Sequence, residues 1–219
     1  MGSLRWSSLV LLVGCGPSET VAPASGGAGE SFESAPYDAS PVRLSQTDDT
    51  TIAPQLSLAC SDANGTKENS WYRMWPLRDT TIDRPLTIYR VNFGVQTAIG
   101  DGRVKVSVGT YAGAAGSVEL DPAQIDVLGL TTIPVFEGRS QMLQASFPGI
   151  TIPVGANLVV EIKSEGYTDG RYFYLGATQS AETIPGYLRA PGCDRPNPVM
   201  TSALGYSQTH LIISVSGAY

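Results

Sequence analysis

The chain has 219 residues, with 14 Lys and Arg against 20 Asp and Glu, a formal net charge of −6. An acidic chain lacks the clustered basic surface that phosphate binding needs, which excludes nucleic-acid binding as a function class. A single histidine excludes a multi-histidine metal site, and 24 Gly with 15 Pro stay below the level of a disordered chain, so one domain with extensions is the expected scale.

The first residues carry one charge, Arg5, ahead of a short apolar run from Ser7 to Val13. A bilayer span takes about 20 apolar residues, so the run is too short to cross one. It fits the hydrophobic part of a secretory signal peptide over residues 1–14. The run ends in Leu12-Val13-Gly14-Cys15, which resembles the bacterial lipoprotein lipobox. The resemblance implies that Cys15 is diacylated through its sulfur and becomes the first mature residue. Residue 16 is Gly rather than Asp, which by the same resemblance implies the outer membrane, with the domain periplasmic or surface-exposed. The expected membrane partnership is therefore a lipid anchor.

Residues 15–52 read as the lipidated Cys and a flexible acidic linker. Beyond Cys15 the stretch is rich in Gly, Ser, Ala, Pro and Thr, and six acids face one base, Arg43. Such a stretch buries too little apolar surface to offset its ordering entropy. As a random coil it reaches about 30–35 Å from the membrane.

From residue 53 to 219 the pattern is β. Tyr89, Val91, Phe93 and Val95 share one face, against Arg90, Asn92 and Gln96. Val104, Val106 and Val108 alternate with Arg103, Lys105 and Ser107 in the same way. Period two marks half-buried strands. Ile99-Gly100-Asp101-Gly102 between them reads as a tight hairpin turn. Further strands are expected over 55–59, 71–76, 124–135, 142–152, 157–163, 171–177 and 210–216. Nine or ten short strands predict an all-β fold, a single antiparallel, jelly-roll-like β-sandwich.

Cys60 and Cys193 remain once Cys15 is lipidated. An exported chain sits in an oxidising space, where two leftover thiols pair. The closed loop spans 133 residues, which the chain-entropy model values at about 4–5 kcal/mol.

Three segments carry a second resemblance. Ser70-Trp71-Tyr72-Arg73-Met74-Trp75 opens the domain. Gly186-Tyr187-Leu188-Arg189-Ala190-Pro191-Gly192-Cys193 lies near its end. Gly205-Tyr206 leads into the strand from His210 to Gly217. Together they resemble an all-β domain that recurs in secreted, modular bacterial proteins. The likeness covers about residues 55–217 and implies placement and fold, not chemistry. Pro76 departs from it: an acid is expected after the second Trp, and a contact made through that acid would be missing here.

Catalysis has few candidates. His210 is the sole imidazole, and no Gly-x-Ser-x-Gly elbow occurs. The chain is therefore read as a non-enzyme; Asp121, Asp126, Glu161 and Glu165 leave a carboxylate-dependent glycoside hydrolase as the alternative. No cofactor is expected. Asp62, Asn64, Thr66 and Glu68 place oxygens at alternate positions, as a calcium loop does, but the glycine falls at the fourth position and the twelfth holds no Glu. Ligand recognition has more. Trp71, Tyr72, Trp75, Tyr172, Tyr174, Tyr187 and Tyr206 are candidate aromatic contacts, and Trp71, Tyr72, Arg73, Trp75, Tyr187, Arg189 and His210 form the predicted ligand site. The same Trp–Arg–Trp face equally reads as core, with Arg73 stacked between the rings and Arg189 paired to an acid near the Cys60–Cys193 bridge. The expected function is binding of a protein partner or a glycan at the cell envelope. A polysaccharide-active enzyme and a purely structural subunit of an extracellular assembly are the alternatives.

Overall fold

The computed structural model describes residues 40–46, 49–179 and 184–219. The expected signal peptide and lipobox, Cys15 and most of the expected linker lie outside the described residues. In chain order the strands are β1 (Pro41–Leu44), β2 (Ser61–Asp62), β3 (Gly65–Thr66), β4 (Asn69–Pro76), β5 (Leu86–Ile99), β6 (Gly102–Tyr111), β7 (Ile125–Val135) and β8 (Gly138–Ile152). They continue as β9 (Asn157–Ser164), β10 (Tyr172–Leu175), β11 (Ala177–Gln179), β12 (Gly186–Ala190), β13 (Arg195–Met200), β14 (Thr209–Leu211) and β15 (Ile213–Ala218). Between residues 53 and 219, ten of them are four residues or longer. The two- and three-residue pieces β2, β3, β11 and β14 are too short to leave a period in the sequence.

Two antiparallel sheets carry the fold. One has six strands in the order β13-β12-β4-β9-β6-β7. In the other, β5 pairs with β8 along one side and with β15 and β10 along its other, and β1 completes the sheet beside β15. Their inner faces meet in one apolar core. Val91, Phe93, Val95, Phe173 and Val215 come from the five-stranded sheet; Trp71, Val104, Val106, Val108, Val160 and Ile162 come from the six-stranded one. The alternation of β6 is as expected: its three valines face inward and Lys105 faces solvent.

No strand forms over residues 55–59, and three further expectations change. The Gly100 turn is tight, and Gly100 adopts φ +69°, but it does not close a hairpin. β5 pairs in one sheet and β6 in the other. Their apolar faces look at each other across the core instead of lying side by side. The turn from β7 to β8 crosses between the sheets in the same way. The two crossings are stitched together: Gly100 N–H donates to Glu137 Oε2 at 3.1 Å, and Glu137 N–H donates to Asp101 Oδ1 at 2.9 Å.

Tyr89 is the second change. A bulge between Ile88 and Arg90 shifts the register, so fully buried Ile88 takes the inward position and Tyr89 is only half-buried. The third is the linker. Residues 41–44 pair with Val215–Ala218, and Val42 and Leu44 pack on the core. The domain starts at least a dozen residues before 53, because a four-residue edge strand is too short to stand out in polar sequence.

Cys60 and Cys193 are bonded, with Cα atoms 5.9 Å apart. The bond ties the segment before β2 to the turn after β12. Cys193→Ser is expected to lower unfolding free energy by about 2–5 kcal/mol. Urea unfolding of the variant and of the oxidised wild type measures this directly.

Candidate functional site

The predicted ligand site is interior. Trp71, Arg73 and Trp75 alternate along β4 on the face toward the core, and all three are out of solvent. Trp71 Nε1 donates to the Leu58 carbonyl at 2.6 Å, and its ring meets Phe173 edge-on with centroids 5.5 Å apart. Arg73 is fully buried. Its Nη2 donates to the Leu211 carbonyl at 2.6 Å; its Nη1 donates to the Ile184 carbonyl at 2.5 Å and to Gln46 Oε1. His210 sits on β14 opposite Thr178 and is 2% exposed. Burial, with Arg73 beside it, pushes its pKa down to about 4 against a weaker pull from Asp49. The imidazole is therefore neutral at neutral pH.

Tyr72 and Tyr187 point to the opposite face of the six-stranded sheet, yet they too are buried. They join Met74, Tyr111, Leu120 and Val159 in a second apolar cluster. The connection from β6 to β7 covers that face, crossing to the far edge: Leu120 N–H donates to the Pro198 carbonyl, and Met200 N–H donates to the Val118 carbonyl. Tyr72 OH donates to Glu161 Oε1 at 2.8 Å, and Ser107 Oγ donates to Oε2 at 3.2 Å. Burial, reinforced by the Glu161 carboxylate, holds the Tyr72 proton far above the usual phenol range. Thus Trp71, Tyr72, Arg73, Trp75, Tyr187 and His210 build the interior and line no surface. The remaining member, Arg189, is half-buried: its Nη1 lies 2.5 Å from Glu68 Oε1, on the segment beside the disulfide. That is the structural alternative for Arg189.

Three of the four candidate calcium ligands, Asp62, Thr66 and Glu68, are engaged elsewhere. Asp62 pairs with Lys67 at 2.5 Å and caps Asn64 N–H at 2.8 Å. Thr66 Oγ1 is buried and accepts from Phe173 N–H at 2.9 Å. Glu68 meets Arg189 and Lys163; burial works against its charge, but the two cations hold its pKa below the usual range. Asn64 is exposed at the turn between β2 and β3. Among the described residues, no three His, Cys, Asp or Glu side chains are grouped to hold a metal ion. Of the four candidate catalytic acids, Asp121 caps a short turn, Glu161 serves Tyr72 and Ser107, and Glu165 pairs with Lys105 and Lys163. Asp126 is exposed on β7.

What the surface does offer is at one end of the five-stranded sheet. Tyr172 and Tyr174 are two apart on β10, between buried Phe173 and Leu175, so both turn outward. Their rings stack with centroids 5.9 Å apart and planes 13° apart. Their hydroxyls are pinned at the rim, Tyr172 OH to the Asp62 carbonyl at 3.0 Å and Tyr174 OH to Ser61 Oγ at 3.3 Å. Beside them Arg171 lies 4.6 Å from the Tyr167 ring centroid and is fixed by Asp169 and by the Asp101 carbonyl. Asp101, Gly102, Arg103, Glu165, Tyr167 and Arg171 line a shallow cleft there. A held aromatic pair with polar groups around it suits a ligand with an apolar face and a hydroxylated edge. The tyrosines are legible in the sequence; the fact that they, and not the tryptophans, reach the surface is not.

No protein-family model matches the chain, and no curated protein matches it. Solved structures do. The clostridial cysteine protease Cwp84, in a variant form after propeptide cleavage, aligns with a TM-score of 0.52 at 8% identity, over 81% of this chain and 40% of that one. The cysteine protease and lectin-like domains of Cwp84, a surface-layer-associated protein of Clostridium difficile, align with a TM-score of 0.47 at 9% identity, over 69% of this chain and 32% of that one. The chain therefore spans about a third to two fifths of those chains. At this identity the first likeness shows a shared fold and nothing further.

His210 gives the interior a pH signature. Its folded pKa lies below the ordinary 6.5, so between pH 6.5 and 4 the unfolded chain binds a proton that the folded chain does not. The wild type is expected to lose on the order of 2–3 kcal/mol more than His210→Gln between pH 7 and pH 4. Denaturant titrations of both proteins at the two pH values read the difference.

Proposed function

We propose that this chain is an exported, lipid-anchored envelope protein whose β-sandwich binds a glycan without catalysis. The observation that carries the ligand class is the stacked, outward-facing Tyr172–Tyr174 pair. Flat aromatic faces accept the apolar face of a sugar ring, and the polar rim provides partners for its hydroxyls. The lipobox and the disulfide support the location: the first implies export and acylation at Cys15, and the second persists in an oxidising compartment. The fold shared with Cwp84 supports a sandwich frame.

A protein partner is the second reading, and one observation favours it. Val127, Leu128, Leu130, Phe136 and Met142 are large, apolar and exposed, and all lie on β7, β8 or the turn between them. Each strand is the last of its sheet, with one side unpaired among the described residues.

Two measurements test the proposal. Full-length protein purified in detergent is screened on a broad glycan panel; a selective hit is expected, and Tyr174→Ala is expected to weaken it roughly tenfold, the scale of one lost aromatic contact. A blank panel would transfer the reading to a protein partner. In cells fed labelled palmitate, the wild type is expected to carry label and to fractionate with membranes, and Cys15→Ser to do neither. Label on both proteins would remove the anchor from the proposal.

A further inference from the structure

The outer face of the five-stranded sheet differs in charge from the rest of the chain. None of its strands β1, β5, β8, β10 and β15 contains an Asp or Glu, in a protein with 20 acids and a net charge of −6. The strands do contain Arg43, Arg90 and Arg139. Register places all three outward. Arg43, Ser216, Arg90 and Ser146 form one row across the sheet. Ser214, Asn92 and Gln144 form the next. An apolar ridge follows, where Ile52 lies over Gly94. Beyond it Tyr174, Thr97 and Arg139 form a third row, with Tyr172 and Ile99 after that. From Arg90 to Ile99 the face runs on the order of 30 Å at about 3.3 Å per residue.

The other sheet shows the contrast. Three of its bases are paired with acids, Lys105 with Glu165, Lys163 with Glu68 and Glu165, and Arg189 with Glu68, while Arg103 on β6 is exposed without an ion pair among the described residues. Arg43 and Arg90 have local interactions of their own. Arg139 is exposed, and it has no ion-pair partner among the described residues. The acids that flank its end of the face are already engaged: Glu137 by Gly100 N–H, Asp169 by Arg171, Asp62 by Lys67. A guanidinium is a planar fork that matches a carboxylate, and here it stands across one strand from an aromatic platform.

We propose that this face takes an acidic polysaccharide, its rings stacked on Tyr172 and Tyr174 and its carboxylates read by Arg139, with Arg90 and Arg43 further along. This rests on the glycan reading above. The test uses polygalacturonate and its fully methyl-esterified form, which share a backbone and differ in charge, titrated calorimetrically into the full-length protein in detergent. The acid form is expected to bind at least tenfold more tightly than the ester. Raising salt from 50 to 300 mM is expected to shrink that ratio, and Arg139→Gln to remove most of it. Tyr174→Ala is expected to weaken the acid form roughly tenfold. Equal binding of acid and ester, or binding of neutral panel glycans alone, would overturn the acidic preference and leave the glycan reading standing. A preference for the acid form that survives Arg139→Gln and Tyr174→Ala would overturn the assignment to this face. No binding of any glycan would remove both.

Discussion

One cation lies between the two sheets, and much of the interior is arranged around it. A buried guanidinium is costly unless its donors find acceptors. Arg73 finds them on three separate segments: Leu211 at the end of β14, Ile184 before β12, and Gln46 just after β1. Those contacts draw the segment after β1 and the penultimate strand, β14, toward β4. They also place a positive charge near His210, which helps keep that imidazole neutral. The tryptophans on either side of Arg73 seal it from water. A strand that reads as an aromatic ligand platform is thereby committed to the core.

With β4 inside, the sandwich has only outer faces and ends left for recognition, and they are not equivalent. The six-stranded sheet is roofed by the connection from β6 to β7, and Lys105, Lys163 and Arg189 on it are paired with acids. The five-stranded sheet keeps most of its outer face, with arginines, amides and hydroxyls at one end and tyrosines at the other. The chain crosses between the sheets at Gly100 and again at residues 136–137, so β7 and β8 end as the edge strands of opposite sheets. Gly129 marks how closely they approach, because a Cβ there would sit 2.0 Å from Ile150 Cδ1.

Period-two patterning made the fold class legible, and Val104, Val106, Val108, Phe93 and Val95 face the core as their alternation demands. The pairing of Cys60 with Cys193 was legible from compartment and count. Strand partnership was not. The Ile99–Gly102 segment specifies a turn, but nothing local tells whether the strands it joins pair or face each other; that is decided by β8, β10 and β15, which come much later in the chain. Polarity misled at β1, where only two apolar residues alternate. The aromatic site was half legible. Tyr172 and Tyr174 stand out by type and spacing, as do Trp71 and Trp75. Which pair is exposed depends on Phe173, Leu58 and the carbonyls around Arg73, none adjacent to β4 in sequence. The row that joins Tyr174 to Arg139 spans three strands and has no sequence signature at all.

A rigid sandwich that presents a charged, aromatic-edged face needs no moving part to bind an extended polymer, and the loss of ordering entropy then falls mainly on the ligand. With no carboxylate on its strands, the five-stranded sheet stays attractive to anions in an otherwise acidic chain. The most direct measurement is the map of chemical-shift changes when an oligogalacturonate is titrated into isotopically labelled protein. The account predicts that Tyr172, Tyr174, Thr97 and Arg139 move while Trp71, Trp75 and Tyr187 stay fixed. Movement concentrated on β4 and β12, with the β10 tyrosines unmoved, would contradict it.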